Sequence, residues 1–393
     1  MKTSNPAARA RALLLLLIGA NLVLAPASDA RGAPYVPQRD DTVVERLRDR
    51  PLDPADRELR RLRAALRRAP DQAALAVAVA QRCLRIARRD GDPRYLGYAQ
   101  AALAPWWQRD DMPGAVRLLK ATLLQSVHEF GPALDELDTL VRREPGNAQA
   151  WLTRASILRV QGRYDEARAD CARLGTLEVA AVYGQACLAD LDGLQDGGDA
   201  AAKTLARLRA ADPAPSSWLD LMSAELAERR GHPAAARASY LAALQGAPDA
   251  YTLAAYADFL LDQGRAAEAI DLLAGKERAD PLLLRLALAY RQRGDARLGG
   301  AVADLQARFD AAHLRGDRVH LREEARFELE LRRRPDLALA LARANWEVQK
   351  EPADLRILLD CARAAGSAAD EQAVRRFVAR QHIVDARLDR RAS

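Results

Sequence analysis

A small residue returns along this chain about every 34 positions. Ala121, Ala155, Ala189, Ala224 and Ala257 are spaced by 34, 34, 35 and 33, and Ala287 follows after 30. Twelve residues beyond each stands a second small residue: Ala133, Ala167, Ala201, Ala236, Ala269 and Gly299. Ala99 extends that second ladder upstream by 34. Gly162, Gly231, Gly264 and Gly294 fall seven residues after the first small position of their units, and Pro145, Pro213, Pro248, Pro281 and Pro352 keep the same period with two gaps. Antiparallel helices approach closely only where small side chains meet. Glycine between them lets the chain reverse, and proline ends the second helix before the next unit. Such a hairpin cannot bury its apolar face alone, so the units must stack into an array.

Composition agrees. Ala, Leu, Arg and Glu, all strong helix formers, dominate, whereas aromatic residues make up 5%. Few residues suit a pleated sheet, so the class is all-α. At 393 residues and 49% apolar content, the length suggests two or three domains. The ladders replace that with one solenoid of about eight to nine helical pairs.

Trp151-Leu152-Thr153-Arg154-Ala155 with Leu158, Gly162 and Tyr164-Asp165-Glu166-Ala167 resembles the tetratricopeptide repeat (TPR). Ala254-Ala255-Tyr256-Ala257 with Gln263-Gly264 and Glu268-Ala269 resembles it too, as does Leu286-Ala287-Leu288-Ala289-Tyr290 with Gly294-Asp295. The resemblance covers core repeats over 112–310. Residues 57–111 and 311–393 read as divergent repeats, the latter with C-terminal capping helices. In 311–393 the register slips: Ala340 lies 41 after Gly299, and Glu328 stands where a small residue is expected twelve before it. Cys361 and Ala373 restore the twelve-residue pair.

The resemblance implies a right-handed superhelix whose concave groove binds proteins or peptides, with the first helix of each unit lining that groove. Six residues before the turn glycine, Glu225 and Asp258 then point into it, with Asp190 equivalent. Thirteen before lie Trp218 and Tyr251, with Tyr183 equivalent. Three successive units would each present an aromatic ring, which gives contact area at low entropic cost, and a carboxylate. The competing reading is that the rings staple helix starts and the acids pair with nearby arginines. Three acids fit a basic or N-terminal segment better than a terminal carboxylate.

The N-terminus reads as an address. Lys2, Arg9 and Arg11 precede an apolar run from Ala12 to Val23, then Ser28-Asp29-Ala30. These are the parts of a secretory signal peptide over 1–30, with the cut expected after Ala30 and Ala25-Pro26-Ala27 as the competing site. The run is too short for the ~20 residues of a membrane helix, so no stable membrane insertion is expected after cleavage. Pro34, Pro37, Pro51 and Pro54 make 31–56 a Pro-rich flexible linker, with a short helix allowed over 42–48. The expected location is the bacterial periplasm or the exterior.

The formal charge of +6 falls to +4 without the first 30 residues. That is no footprint for nucleic acid, which needs basic side chains clustered on one surface. The stretches 45–68 and 375–391 are locally basic and read as solvated helix faces. The five histidines show no metal spacing, and there is no phosphate loop or nucleophile motif. No catalytic residue, metal or cofactor is therefore expected. A Cys171–Cys187 disulfide is open to an oxidising compartment, while Cys83 and Cys361 read as core residues. The expected role is an exported scaffold for protein–protein interaction, with envelope assembly as its setting. The alternative is a carbohydrate-associated repeat protein in polysaccharide export.

Overall fold

The computed structural model describes residue 39 and residues 54–211, 216–246 and 248–388. The expected signal peptide, its cleavage site and the short helix over 42–48 lie outside the described residues. The described residues from Pro54 onward form a compact unit.

Among the described residues there is no strand. After α1 (Pro54–Arg68), nine antiparallel helix pairs follow in order: α2 (Ala73–Asp90) with α3 (Arg94–Leu103), α4 (Gly114–Ser126) with α5 (Phe130–Arg143), and α6 (Ala148–Val160) with α7 (Tyr164–Gly175). Then come α8 (Ala181–Leu194) with α9 (Gly198–Ala211), α10 (Ser217–Arg229) with α11 (Pro233–Ala243), and α12 (Ala250–Asp262) with α13 (Ala266–Leu273). The last are α14 (Asp280–Arg293) with α15 (Leu298–Leu314), α16 (Leu321–Arg326) with α17 (Pro335–Val348), and α18 (Pro352–Ala364) with α19 (Ala368–Arg380). This is the all-α solenoid of helix pairs expected from the ladders, in the TPR-like form the resemblance implies.

The ladders have a direct packing cause. Ala121, Ala155, Ala189, Ala224, Ala257 and Ala287 on the first helices are all buried, as are Ala133, Ala167, Ala201, Ala236 and Ala269 on the second. Gly162 shows why the turn needs glycine. Its φ is +74°, and a Cβ there would lie 2.8 Å from Phe377. The following Arg163 N–H reaches back to the Leu158 carbonyl at 2.8 Å, closing the helix end in the usual left-handed cap. Helix starts are fixed as well: the Asn147 side chain accepts from the Ala150 N–H, and Asp249 from the Thr252 N–H.

The small-residue rule departs from expectation at α14–α15. Gly299 is exposed, and Ala301 takes the buried position. The cause is the turn: α15 begins four residues after Gly294, whereas α7, α11 and α13 each begin two after their glycine. At the end of the chain Cys361 is buried but Ala373 faces solvent, and Val374 makes the contact. The register slip between these points coincides with a wider helical turn over Phe327–Leu331. It carries Glu328 into the interior, where Arg334 approaches at 3.6 Å.

The array turns back on itself. The turn at Gly91 abuts Ala250 and Ala279, so the pair α2–α3 meets the start of α12 and the residue before α14. The C-terminal helices join an apolar core with the repeats of α4–α8: Leu355, Leu358, Val374 and Phe377 share it with Ile157, Leu158 and Leu191.

Candidate functional site

The first helices α6, α8, α10 and α12 lie side by side, and their inward faces enclose two cavities. One, of about 310 Å³, is lined only by residues of the repeats, among them Leu152, Ser156, Tyr183, Trp218, Met222 and Tyr251. The other, of about 270 Å³, lies between α10, α12 and α14 and is roofed by Arg322, Glu323, Glu351 and Arg387 of the C-terminal segment. Arg159, Glu225 and Tyr251 line both.

Five of the six residues expected in the groove meet in the first cavity. Tyr183, Trp218 and Tyr251 stand in the first turn of α8, α10 and α12. The Tyr183 and Trp218 rings are 5.4 Å apart with a 32° tilt, and Trp218 and Met222 also pack on the small apolar cluster of α8–α10. Tyr183 is 44% and Tyr251 54% exposed, high for large rings set inside a cavity. The Tyr251 hydroxyl donates to Glu225 Oε1 at 2.7 Å. Asp190 is paired with Arg159 at 2.5 Å and faces Arg229 at 3.7 Å. Arg159 in turn reaches Glu351 at 3.1 Å. Glu225 has no ion pair among the described residues, and burial pushes its carboxyl above the usual range.

Asp258 is placed elsewhere. It lines the second cavity, held by Arg285 at 2.7 Å and Arg326 at 2.5 Å. Against the cost of burial, these two guanidiniums keep its carboxyl well below the usual range. Other charges of this roofed space are matched in the same manner, Glu225 excepted. Arg322 approaches Glu351 at 3.3 Å and Asp354 at 3.2 Å. Glu228 accepts from the Tyr240 hydroxyl at 2.6 Å and pairs with Arg387 at 3.1 Å.

A disulfide joins Cys171 on α7 to Cys187 on α8, with Cα atoms 5.5 Å apart, and both residues line the first cavity. Among the described residues no cluster of His, Cys, Asp or Glu could hold a metal, and no helix is long and apolar enough to cross a membrane.

Sequence reasoning missed Ser156 and Arg159 as lining residues. Ser156 carried the same signal as Glu225 and Asp258, since it stands six residues before Gly162. Arg159, three residues and nearly a full turn further, had no such mark; its position is set by Asp190 of the next repeat and Glu351 of the C-terminal segment.

No known protein-family profile and no curated protein matches the sequence. Among solved structures the chain is similar to a tetratricopeptide repeat protein from Parabacteroides merdae ATCC 43184, at 19% identity and a TM-score of 0.46, over 60% of this chain and 92% of that one. It is also similar to the APC/C hetero-tetramer Cut9-Hcn1, at 15% identity and a TM-score of 0.46, over 78% of this chain and 58% of that one. The P58(IPK) TPR domain is similar at 16% identity and a TM-score of 0.24, over 68% of this chain and 82% of that one.

Proposed function

We propose that this chain is an exported interaction scaffold that takes a protein segment into the uncovered cavity between α6, α8, α10 and α12. One observation carries the reading: Tyr183 and Tyr251 remain about half exposed inside a concavity whose other walls are packed. Rings held by a rigid array and left open to solvent are the anchors that binding surfaces use, because they bury large area with little ordering cost. The second cavity suits a partner less, since the C-terminal segment covers it and, apart from the shared Glu225, the charges Asp258, Arg322 and Glu228 are paired within the chain. Export rests on the basic and apolar pattern of residues 1–30, and the disulfide is at home in an oxidising compartment.

The test is co-purification from envelope extracts with the full chain and with the double variant Tyr183→Ala, Trp218→Ala. The expected result is a specific protein at stoichiometric yield with the natural sequence and its loss with the variant, at unchanged circular dichroism. Recovery of glycan alone, or equal partner yield with the variant, rejects the reading. Fusion of residues 1–40 to a reporter phosphatase active only outside the cytoplasm tests export separately.

A further inference from the structure

We infer that the uncovered cavity is an anchor site for a single cationic side chain, a lysine ammonium or an arginine guanidinium, with Glu225 as its counter-ion and Tyr183, Trp218 and Tyr251 as its walls. This rests on the proposed scaffold reading and names the chemistry of the partner at that site.

The charged lining residues of the cavity are Arg159, Asp190 and Glu225. Arg159 is spent on Asp190 at 2.5 Å and, beyond the cavity, on Glu351 at 3.1 Å. Arg229, one turn along α10 from Glu225, directs its guanidinium toward Asp190 at 3.7 Å. Glu225 therefore has no cation of the protein within ion-pair distance among the described residues. Among the described residues it accepts from the Tyr251 hydroxyl, on one oxygen only. A carboxylate has acceptor capacity for several donors, so the second oxygen remains available.

A cation placed over an aromatic face is attracted by the ring quadrupole, and the attraction grows as water is excluded. Tyr183 and Trp218 form one wall, 5.4 Å apart, and Tyr251 leads down to the carboxylate through its own hydroxyl. The aliphatic stem of a lysine or arginine would lie along Leu221 and Met222, which line the same space. Rings along the walls and an acid without an ion pair match such a side chain from stem to head, with Arg229 and Arg159 acting on that acid only from beyond ion-pair distance. A carboxylate or phosphate would meet the same acid as repulsion. The basic partner expected from the sequence thus narrows to one anchoring residue, because Asp190 and Asp258 are already neutralised by Arg159, Arg285 and Arg326.

The test is weak-affinity chromatography on the immobilised full chain, with the capped residues N-acetyl-lysine, N-acetyl-arginine, N-acetyl-norleucine and N-acetyl-glutamate methylamides as probes. Lysine or arginine is expected to be retained about fivefold or more over norleucine, and glutamate not at all. The isosteric variant Glu225→Gln keeps an acceptor for Tyr251 and is expected to abolish that preference. Equal retention of norleucine and lysine, or a preference unchanged in Glu225→Gln, overturns the assignment and leaves the scaffold reading standing. Retention of none of the four also overturns it, while the envelope co-purification decides the scaffold independently.

Discussion

Lys350 donates its backbone N–H to the carbonyl of Val160 at 2.7 Å. Val160 is the last residue of α6, where carbonyls have no partner in their own helix. The same relationship recurs one and two repeats later. Val384 donates to Leu194, the last residue of α8, at 2.9 Å, and Ala386 to Arg229, the last residue of α10, at 2.7 Å. At the next repeat the contact passes through a side chain: Arg356 donates to the carboxylate of Asp262, the last residue of α12, at 2.8 Å. The C-terminal segment therefore docks on the array at the array's own period.

Shortening the chain after His382 removes two of those donors and Arg387, leaving the Leu194 and Arg229 carbonyls and the Glu228 carboxylate without these partners. Buried polar groups stripped of a partner cost about 1–3 kcal/mol each. Relaxation and water entry recover part of this, so a loss of roughly 2–4 kcal/mol is expected. A lower urea midpoint and faster amide exchange in α8 and α10 are the readouts. An unchanged midpoint would show that the docking is not part of the stable fold.

The six groove candidates are expected to separate by stability. Asp258→Ala deprives Arg285 and Arg326 of their shared carboxylate. Breaking a buried ion pair from one side costs several kcal/mol. Because Asp258 is partly exposed and Arg326 keeps Glu330 at 2.8 Å, about 1–3 kcal/mol is expected. The depressed Asp258 carboxyl makes this contribution complete at neutral pH and lost only in strong acid. Glu225→Gln, with no ion pair to break, is expected to change stability by under about 1 kcal/mol. Equal losses for the two variants in thermal melts would contradict the charge assignment. A combined substitution of Asp190, Glu225 and Asp258 would confound binding with folding.

Asp360 on α18 gives a pH dependence of opposite sign. Burial pushes its carboxyl up to about 6, and Arg356 at 3.8 Å and Arg363 at 3.9 Å do not offset that. The folded chain then holds a proton at this site that the unfolded chain gives up near its ordinary value of 3.8. Its contribution is fully present below about pH 4 and is lost as pH rises through about 6. Asp360→Asn is expected to raise the melting temperature above pH 6, by the equivalent of about 1–3 kcal/mol, and to leave it unchanged near pH 4. Equal effects at both pH values would reject the shifted carboxyl.

The sequence showed the helix pairs because one physical requirement, a small side chain at each close approach, repeats along the chain. Ala121 to Ala287 therefore announce their packing without any knowledge of neighbours. Gly299 misled because two additional turn residues before α15 move the contact to Ala301, and spacing alone cannot display a turn's length. Tyr183, Trp218, Tyr251, Asp190 and Glu225 were legible as a group since periodicity selects a helix face. Which acid remains unpaired was not legible. It depends on which arginine each acid meets across the array: Arg159, Arg229 and Arg285 reach across from neighbouring repeats and Arg326 from the C-terminal segment, contacts that spacing within one repeat does not display.

The disulfide between Cys171 and Cys187 gives the last prediction. It ties α7 to α8, the helix that carries Tyr183, and both cysteines line the aromatic cavity. Cys83 and Cys361 are buried free thiols, and burial pushes Cys361 up to about 12. Chain isolated from an oxidising compartment and unfolded in denaturant is thus expected to titrate two thiols without reductant and four after reduction. A bridge closing a loop of 16 residues stabilises by about 3 kcal/mol in the chain-entropy account. Cys171→Ser with Cys187→Ser is expected to lower the urea midpoint accordingly. It should also loosen amide protection in α8, because that helix loses its covalent link to the pair before it. Four free thiols in the unreduced, denatured chain would show that the bridge does not form.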